Sequence, residues 1–516
     1  MPNAAADAPQ ADFSSAQIAR FFAAESQRFR ATHPRCAALH AQAQRHFLFG
    51  VPMHWMADTP APFPLFVDAA QGARLVDADG HEIIDFCLGD TGAMFGHSPA
   101  PIARTLAEFG AQGATTMLPS AVALEVAALL EARFGLPMWQ FTATASDANR
   151  FLLRWARAIT GRPCILVFHG CYHGTVDDTF IDLAEGGGTR MRASLLGQVH
   201  DLTPTTRVVE FNDSAALEAA LAPGDVACVL TEPVLTNIGM VLPEPGFLQT
   251  LRALTRRHGT LLAFDETHTI SCGPGGYTRA DGLGACRTLG VESENVPQRG
   301  QFLPDSPPHG ATMGQEAGKK WAAAAHSQPT IPKSDRLLEP DMLVLGKPIA
   351  GGTPGAAYGF SAEVGARMQA VKAAAAPGHS GIGTTLSAGL LTLRLMRTML
   401  AEVMDGPAYA RMFTTATRVA EGLQAQIAAR ALPWSVTRIG ARCEVQFRPT
   451  PPRNGSEARA AFRNDLEAAL QLALLNRGVL LTPFHNMVLA CPAHTAQDAD
   501  TLVAAFADAL DGLAGA

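Results

Sequence analysis

A chain of 516 residues, 47% hydrophobic and 17% charged, has an ordinary globular composition and the length for a large core and two domains. Its formal net charge of −7 argues against nucleic acid or an anionic membrane as a partner. Nine cysteines without C-x-x-C spacing read as reduced thiols of a cytoplasmic protein, and no run approaches the roughly eighteen apolar residues of a membrane span. The opening "MPNAAADAPQADFSSAQ" has neither the basic nor the apolar region of a signal peptide.

Residues 1–12 are polar and alanine-rich. From Ser14 or Ser15 an amphipathic helix is expected, ending before Pro34, followed by a second helical stretch to about Phe49. "RLVDADGHEIIDF" (74–86) reads as a hairpin around Asp79-Gly80. From about residue 90, helices alternate with the apolar runs "PCILVFHG", "RVVEF", "VACVLTEPV", "TLLAFDETH" and "MLVLGK". Continuous runs of this kind predict a mostly parallel sheet covered on both faces. Residues 284–336 lack periodicity and read as an insertion, either a lid or a disordered loop. After about 375 come further helices, a strand near "RCEVQF" and a strand pair around "GVLLTPFHNMVLA". The expected fold is therefore α/β. An N-terminal helical segment, 1–75, joins a C-terminal small α+β domain, 376–516, and a large domain spans 76–375.

"PDMLVLGKPIAGGTPGAAYGF" (340–360) places one lysine where an apolar run meets a glycine-rich turn. A P-loop is excluded, because Pro348 stands where that motif needs a hydroxyl for magnesium. "GIGTTL" (381–386) lacks the third glycine of a dinucleotide motif. Lys347 is then either a Schiff-base lysine or a surface lysine at a strand end. Other runs also end in polar groups: Tyr172 and His173, Glu232, and Asp265. Ligands of open α/β sheets sit beyond these carboxyl ends. The set suits a pyridine aldehyde cofactor, with Lys347 condensing with the aldehyde and Asp265 facing the pyridine nitrogen. Tyr172 is available to stack on the ring. Thr144 and Ser146 open a helix whose N-terminus suits a phosphate, although Ser146-Asp147 is also a plain helix cap. No metal is expected.

"FTATASDANRFLLRWARAITGR", "FHGCYHGT", "LLAFDETHT", "DMLVLGKPIAGGTPGAAYG" and "GTTLSAG" resemble, in order, the blocks of class III pyridoxal-phosphate aminotransferases. The resemblance covers roughly 60 to 510 and is nearest the glutamate-semialdehyde aminomutase and amine transaminase branch. It implies a fold type I enzyme that binds pyridoxal 5′-phosphate and forms a homodimer with shared active sites. By position it makes Lys347 the Schiff-base lysine and Asp265 the partner of the pyridine nitrogen, with Tyr172 the stacking ring beside His173. Thr144, Ala145 and Ser146 become the phosphate cradle, and Thr384 the threonine reaching the neighbouring subunit's phosphate. Glu232 becomes the glutamate near the cofactor's O3′ side, with Thr267 against the ring.

Departures from the pattern shape the substrate expectation. "TASDA" replaces "SGTEA", and the 82 positions between Asp265 and Lys347 exceed the spacing of relatives. His54 and Cys272 stand where relatives carry arginines that grip a carboxylate by a bidentate fork. Trp55 and Phe63, with Met53 and Met56, suggest an apolar wall beside His54. Arg442 is a second candidate for an acid, or else a surface strand residue. The leading expectation is a transaminase taking the amine of a primary amine or an ω- or β-amino acid to a keto acid by ping-pong half-reactions. The alternatives are an aminomutase of the glutamate-1-semialdehyde type and a cofactor-binding protein without turnover.

Overall fold

The computed structural model describes residues 13–279, 286–288, 338–483 and 485–516. The expectations for residues 1–12, and those for 284–336 apart from 286–288, lie outside them.

At the centre a seven-stranded sheet runs Met138–Thr142, Ala356–Phe360, Met342–Leu345, Leu261–Asp265, Val226–Thr231, Cys164–Phe168 and Thr206–Val209 in spatial order. From Met342–Leu345 to Thr206–Val209 all neighbours pair in parallel, whereas Ala356–Phe360 runs antiparallel to both of its neighbours. Cys164–Phe168, Val226–Thr231 and Leu261–Asp265 are buried at every position, as continuous apolar runs must be when both faces are covered. Alternation sends Ile165 and Val167 to one face, against Leu152 and Trp155 of the helix Ala145–Thr160. Leu166 and Phe168 go to the other, against Leu248 and Leu251 of the helix Phe247–Arg257. The fold is thus the expected α/β sandwich with a mostly parallel sheet.

The N-terminal helix forms as Ser15–Thr32, opened by a capping box between Ser14 and Gln17. Its Ile18 and Phe21 pack with Leu470, Phe506 and Leu510 near the C-terminus. The second helix, Pro34–Ala43, stops short of the expected Phe49. The chain there turns through a 3₁₀ segment, Leu48–Gly50, with Phe49 at φ 57°. The hairpin is present, Arg74–Asp77 pairing antiparallel with Glu82–Asp85 and Gly80 at φ 90° in its turn.

The strand pair expected around "GVLLTPFHNMVLA" does not form. Val479–Leu480 joins the hairpin sheet in parallel with Glu82–Asp85, while Met487–Leu489 pairs with Arg442–Gln446. Local alternation marks a strand but does not choose its partner. A strand at Ser435–Ile439 was not anticipated, and Cys286–Thr288, inside the presumed insertion, pairs with it. Among the described residues no helix is long and apolar enough to cross a membrane, and Cys36, Cys87, Cys164, Cys171, Cys228, Cys272, Cys443 and Cys491 are all free and buried.

Candidate active site

The carboxyl ends of four central strands bring the predicted polar groups to one edge of the sheet. Lys347 follows Met342–Leu345 through Gly346 and takes φ 49°, a left-handed conformation that non-glycine residues seldom adopt. Its Nζ lies 2.6 Å from Asp90 Oδ2 and contacts Nε2 of His268. Gly346 is required by packing. A Cβ there would sit 2.8 Å from the Cβ of Ala145, which places the lysine turn directly on the N-terminus of the helix Ala145–Thr160.

Asp265 ends its strand with both oxygens engaged. Oδ2 accepts from Asn149 Nδ2 at 2.8 Å and lies 3.0 Å from His173 Nδ1, and Oδ1 accepts from the Thr267 N–H at 3.1 Å. Burial alone would push this carboxyl up, but the hydrogen bonds from His173, Thr267 and Asn149 reverse that and hold it at about 2. Asp265 is therefore a fixed buried anion, with His173 completely enclosed behind it.

Glu232 is buried and accepts from Thr236 Oγ1 at 2.5 Å and from Asn237 Nδ2 at 3.2 Å, and burial pushes its carboxyl up. Thr236 Oγ1 lies 2.6 Å from His268 Nδ1. With Glu232 ionised, the hydroxyl donates to it and accepts from Nδ1–H, which leaves the Nε2 lone pair facing Lys347. Burial first, then the Lys347 charge, holds His268 well below its ordinary value, so it is the neutral ring that faces Nζ. A continuous row results: Glu232, Thr236, His268, Lys347, Asp90.

Thr144 caps the helix, its side chain accepting from the Asp147 N–H, and Ser146 Oγ accepts from the Thr175 N–H at 3.0 Å. The cap is therefore Thr144, and Ser146, read with Asp147 as a plain cap, lies inside the first turn instead. The first N–H groups of the helix remain without intrahelical partners, as in any helix, and here they open beside Gly346. Thr267 Oγ1 and Asp90 Oδ1 are buried and lack any hydrogen-bond partner among the described residues. A helix N-terminus, an anchored anion, a lysine and unsatisfied polar atoms along one edge fit the phosphate, ring nitrogen and aldehyde of a pyridoxal cofactor.

The remaining candidates scatter. The Tyr172 ring is 43% exposed, and burial together with the Asp90 charge pushes its phenol up, so its hydroxyl feels the same site. Thr384 is exposed, with N–H and Oγ1 on Ser387 Oγ at 3.0 and 3.1 Å. His54 and Trp55 lie on an exposed 3₁₀ turn, His54–Ala57, and Trp55, Met53 and Met56 present their apolar surface to solvent. Arg442 is no surface residue. It is fully buried, donating from Nε to Ser271 Oγ at 2.8 Å, from Nη1 to Met487 Sδ at 2.8 Å and from Nη2 to Thr91 Oγ1 at 2.5 Å. Asp90, His268, Thr236 and Asn149 were missed from the sequence. Asn149 carried a readable signal, a polar residue on the helix face formed by Ala148, Leu152 and Ala156.

Residues 55–292 match the family model for class-III aminotransferases. A glutamate-1-semialdehyde 2,1-aminomutase of Sorangium cellulosum (strain So ce56) is 30% identical over 453 residues, covering 87% of this chain and 89% of that one. The chain belongs to the class-III aminotransferase family. A crystal structure of a glutamate-1-semialdehyde-aminomutase from Pseudomonas aeruginosa PAO1 matches at 44% identity and TM-score 0.85, over 98% of this chain and 100% of that one. A lysine-to-alanine variant from the same organism, in complex with PMP, matches at 43% identity and TM-score 0.85, over 98% of this chain and 100% of that one. As a class-III aminotransferase the chain has the fold type I architecture, takes pyridoxal phosphate and is an enzyme of that superfamily.

Proposed function

We propose that this class-III enzyme is an aminomutase of the glutamate-1-semialdehyde type, moving an amino group between neighbouring carbons of a single substrate. The observation that carries this reading is the 44% identity along 98% of the chain to the P. aeruginosa enzyme of that name. It replaces the intermolecular transamination that led the expectations from sequence. Bound pyridoxal phosphate supplies an aldehyde for Schiff-base exchange and a ring that draws electrons from the reacting carbon. Lys347 is assigned as the amine that takes the aldehyde and, at Nζ, as the proton carrier. Asp265, fixed by Asn149 and His173, keeps a ring nitrogen protonated, since only an anion there favours the charged ring. The N–H groups opening at Ala145 and Ser146 would receive the phosphate, and Tyr172, Thr267 and Glu232 would hold the ring. His268 Nε2 and Asp90 Oδ2 hold Nζ between two acceptors, which orients the amine and gives its protons a place to rest.

A second reading, transamination to a separate keto acid, is favoured by His54 and Cys272 at the two arginine positions. One experiment separates them. Holoenzyme is given an α-amino aldehyde bearing a distal carboxylate, with no keto acid present, and product is followed by NMR. The amine is expected to migrate to carbon 1 over many turnovers. Arrest after a single half-reaction, relieved by a keto acid, would support transamination instead.

We infer a homodimer as the working form. Met117, Leu118, Leu124 and Leu386 are 80, 73, 76 and 63% exposed, more large apolar surface than a free monomer usually leaves to water. A second copy covering this surface would bring Thr384 to the neighbouring phosphate. Sedimentation velocity is expected to show a dimer that loses cofactor and activity together on dilution, and a fully active monomer would contradict it. The division into 1–75, 76–375 and 376–516, and a cytoplasmic location in keeping with the free thiols, belong to the same proposal.

A further inference from the structure

We propose that His33, Asp77 and His81 form a binding site for a divalent transition-metal ion of the zinc type, which ties the junction of the two N-terminal helices to the neighbouring hairpin. None of these residues belongs to the active site, so the inference stands apart from the reading of Lys347.

The donors come from two segments that the fold brings together. His33 is the residue between the helices Ser15–Thr32 and Pro34–Ala43, closing the first and opening the second. Asp77 ends the strand Arg74–Asp77, and His81 lies four positions on, past the hairpin turn. The turn fixes this pair. The Asp77 N–H donates to the His81 carbonyl at 3.1 Å, and the His81 N–H donates to Asp77 Oδ1 at 2.8 Å. Asp79 docks the turn on the second helix, its two oxygens accepting from the N–H groups of Arg35 and Cys36 at 2.7 and 2.9 Å.

The spacing is that of ligands. One donor atom from each of the three side chains lies within 4.8 Å of the others. His33 Nε2 is 3.3 Å and His81 Nδ1 2.8 Å from Asp77 Oδ2. Bonds of about 2.0–2.1 Å to a tetrahedral ion put neighbouring donors roughly 3.3 Å apart. His33 and Asp77 already stand at that separation, with side chains only 6% and 0% exposed. The His81 side chain is 43% exposed and has the freedom to open the remaining few tenths.

The hydrogen bonds of His33 decide which atom faces the carboxylate. Nδ1 lies 2.9 Å from the Phe29 carbonyl, which can only accept, so Nδ1 carries the proton. A neutral ring then turns the Nε2 lone pair toward Asp77 Oδ2, and two acceptors face each other until a cation joins them. A backbone carbonyl on the second nitrogen is also the support that a ligating imidazole ordinarily has. The Phe29 ring stacks on the imidazole, with centroids 4.0 Å apart and planes 17° apart, and fixes its orientation. Among the described residues no lysine or arginine side chain pairs with Asp77, so the chain brings no permanent cation of its own to this carboxylate.

Two imidazoles and one carboxylate suit zinc and its neighbours, whereas magnesium and calcium prefer oxygen throughout. Cys36 is not counted as a ligand, because its Sγ accepts from the Phe66 N–H at 3.5 Å. Water at the exposed His81 side completes the coordination.

The test is calorimetric titration of chelator-treated, tag-free holoenzyme with zinc chloride, repeated with cobalt(II) chloride for the visible ligand-field band of a tetrahedral ion. Wild type is expected to take up a single equivalent, to show the band, and to gain a few degrees in Tm over the chelated protein. His81→Gln changes an exposed side chain, should fold, and should weaken binding by at least about a hundredfold, the upper range for losing even a supporting residue. His33→Gln should do the same. No stoichiometric uptake by wild type, or uptake undiminished in both variants, overturns the inference. If His33→Gln does not fold, His81→Gln decides alone.

Discussion

Lys347→Ala is expected to leave a folded chain that no longer holds its cofactor covalently and loses at least about a thousandfold in turnover. The loss combines the covalent attachment with the proton transfer at Nζ, and positioned acid–base groups alone contribute on the order of 10²–10⁴. The fold should survive, because the Lys347 side chain is 28% exposed and packs no core. Its removal costs the ion pair with Asp90, whose side chain is itself 30% exposed, so a destabilisation of about 1 kcal/mol is the appropriate scale. Circular dichroism and dialysis check both halves. A variant that retains its cofactor through dialysis and turns over within tenfold of wild type would remove Lys347 from its role.

Asp265→Asn is the second large effect, and it separates binding from chemistry. The amide is nearly isosteric but cannot accept at both ends. If its oxygen faces Thr267 N–H, its NH₂ meets the donors of Asn149 and His173, and if it flips, its NH₂ meets Thr267 N–H. One buried donor is then left unsatisfied, which costs about 1–3 kcal/mol of stability. A hydrogen bond to a charged group is worth about 1.5–3 kcal/mol, so losing the anion against the ring nitrogen lowers turnover by about one to two decades. Loss of the electron sink adds to that. The cofactor should remain attached, since Lys347 and the helix N-terminus at Ala145–Ser146 are untouched. Absorbance of the purified variant together with steady-state rates is the check, and near-wild-type turnover would take Asp265 out of the site.

The strand-end groups were legible because an apolar run in a parallel sheet fixes its own direction, and the residue that follows it must emerge at the carboxyl edge. Lys347, Asp265 and Glu232 were found in that way. Asp90 was not, because it lies on an irregular loop whose left-handed residues leave no periodicity to read. His268 stood in plain view three residues after Asp265, yet only the fold shows it turning back to Nζ rather than outward. Arg442 was misjudged for a related reason. Alternation places it on one face of its strand, but whether that face meets water depends on Met487 and Ser271, which arrive from distant segments. The C-terminal strands failed similarly, since Val479–Leu480 and Met487–Leu489 chose partners hundreds of residues away or across the domain over each other. His54 and Trp55 were chosen for their likeness to a family motif, and within one chain their turn is on the surface. A second copy of the chain is what would give that surface a use.

Borohydride reduction of the holoenzyme, followed by proteolysis and mass mapping of the cofactor-bearing peptide, tests the assignment of this edge of the sheet most directly. The label is expected on Lys347, in the peptide containing "VLGKPIAGG". A label on any other lysine, with Lys347 unmodified, would contradict it.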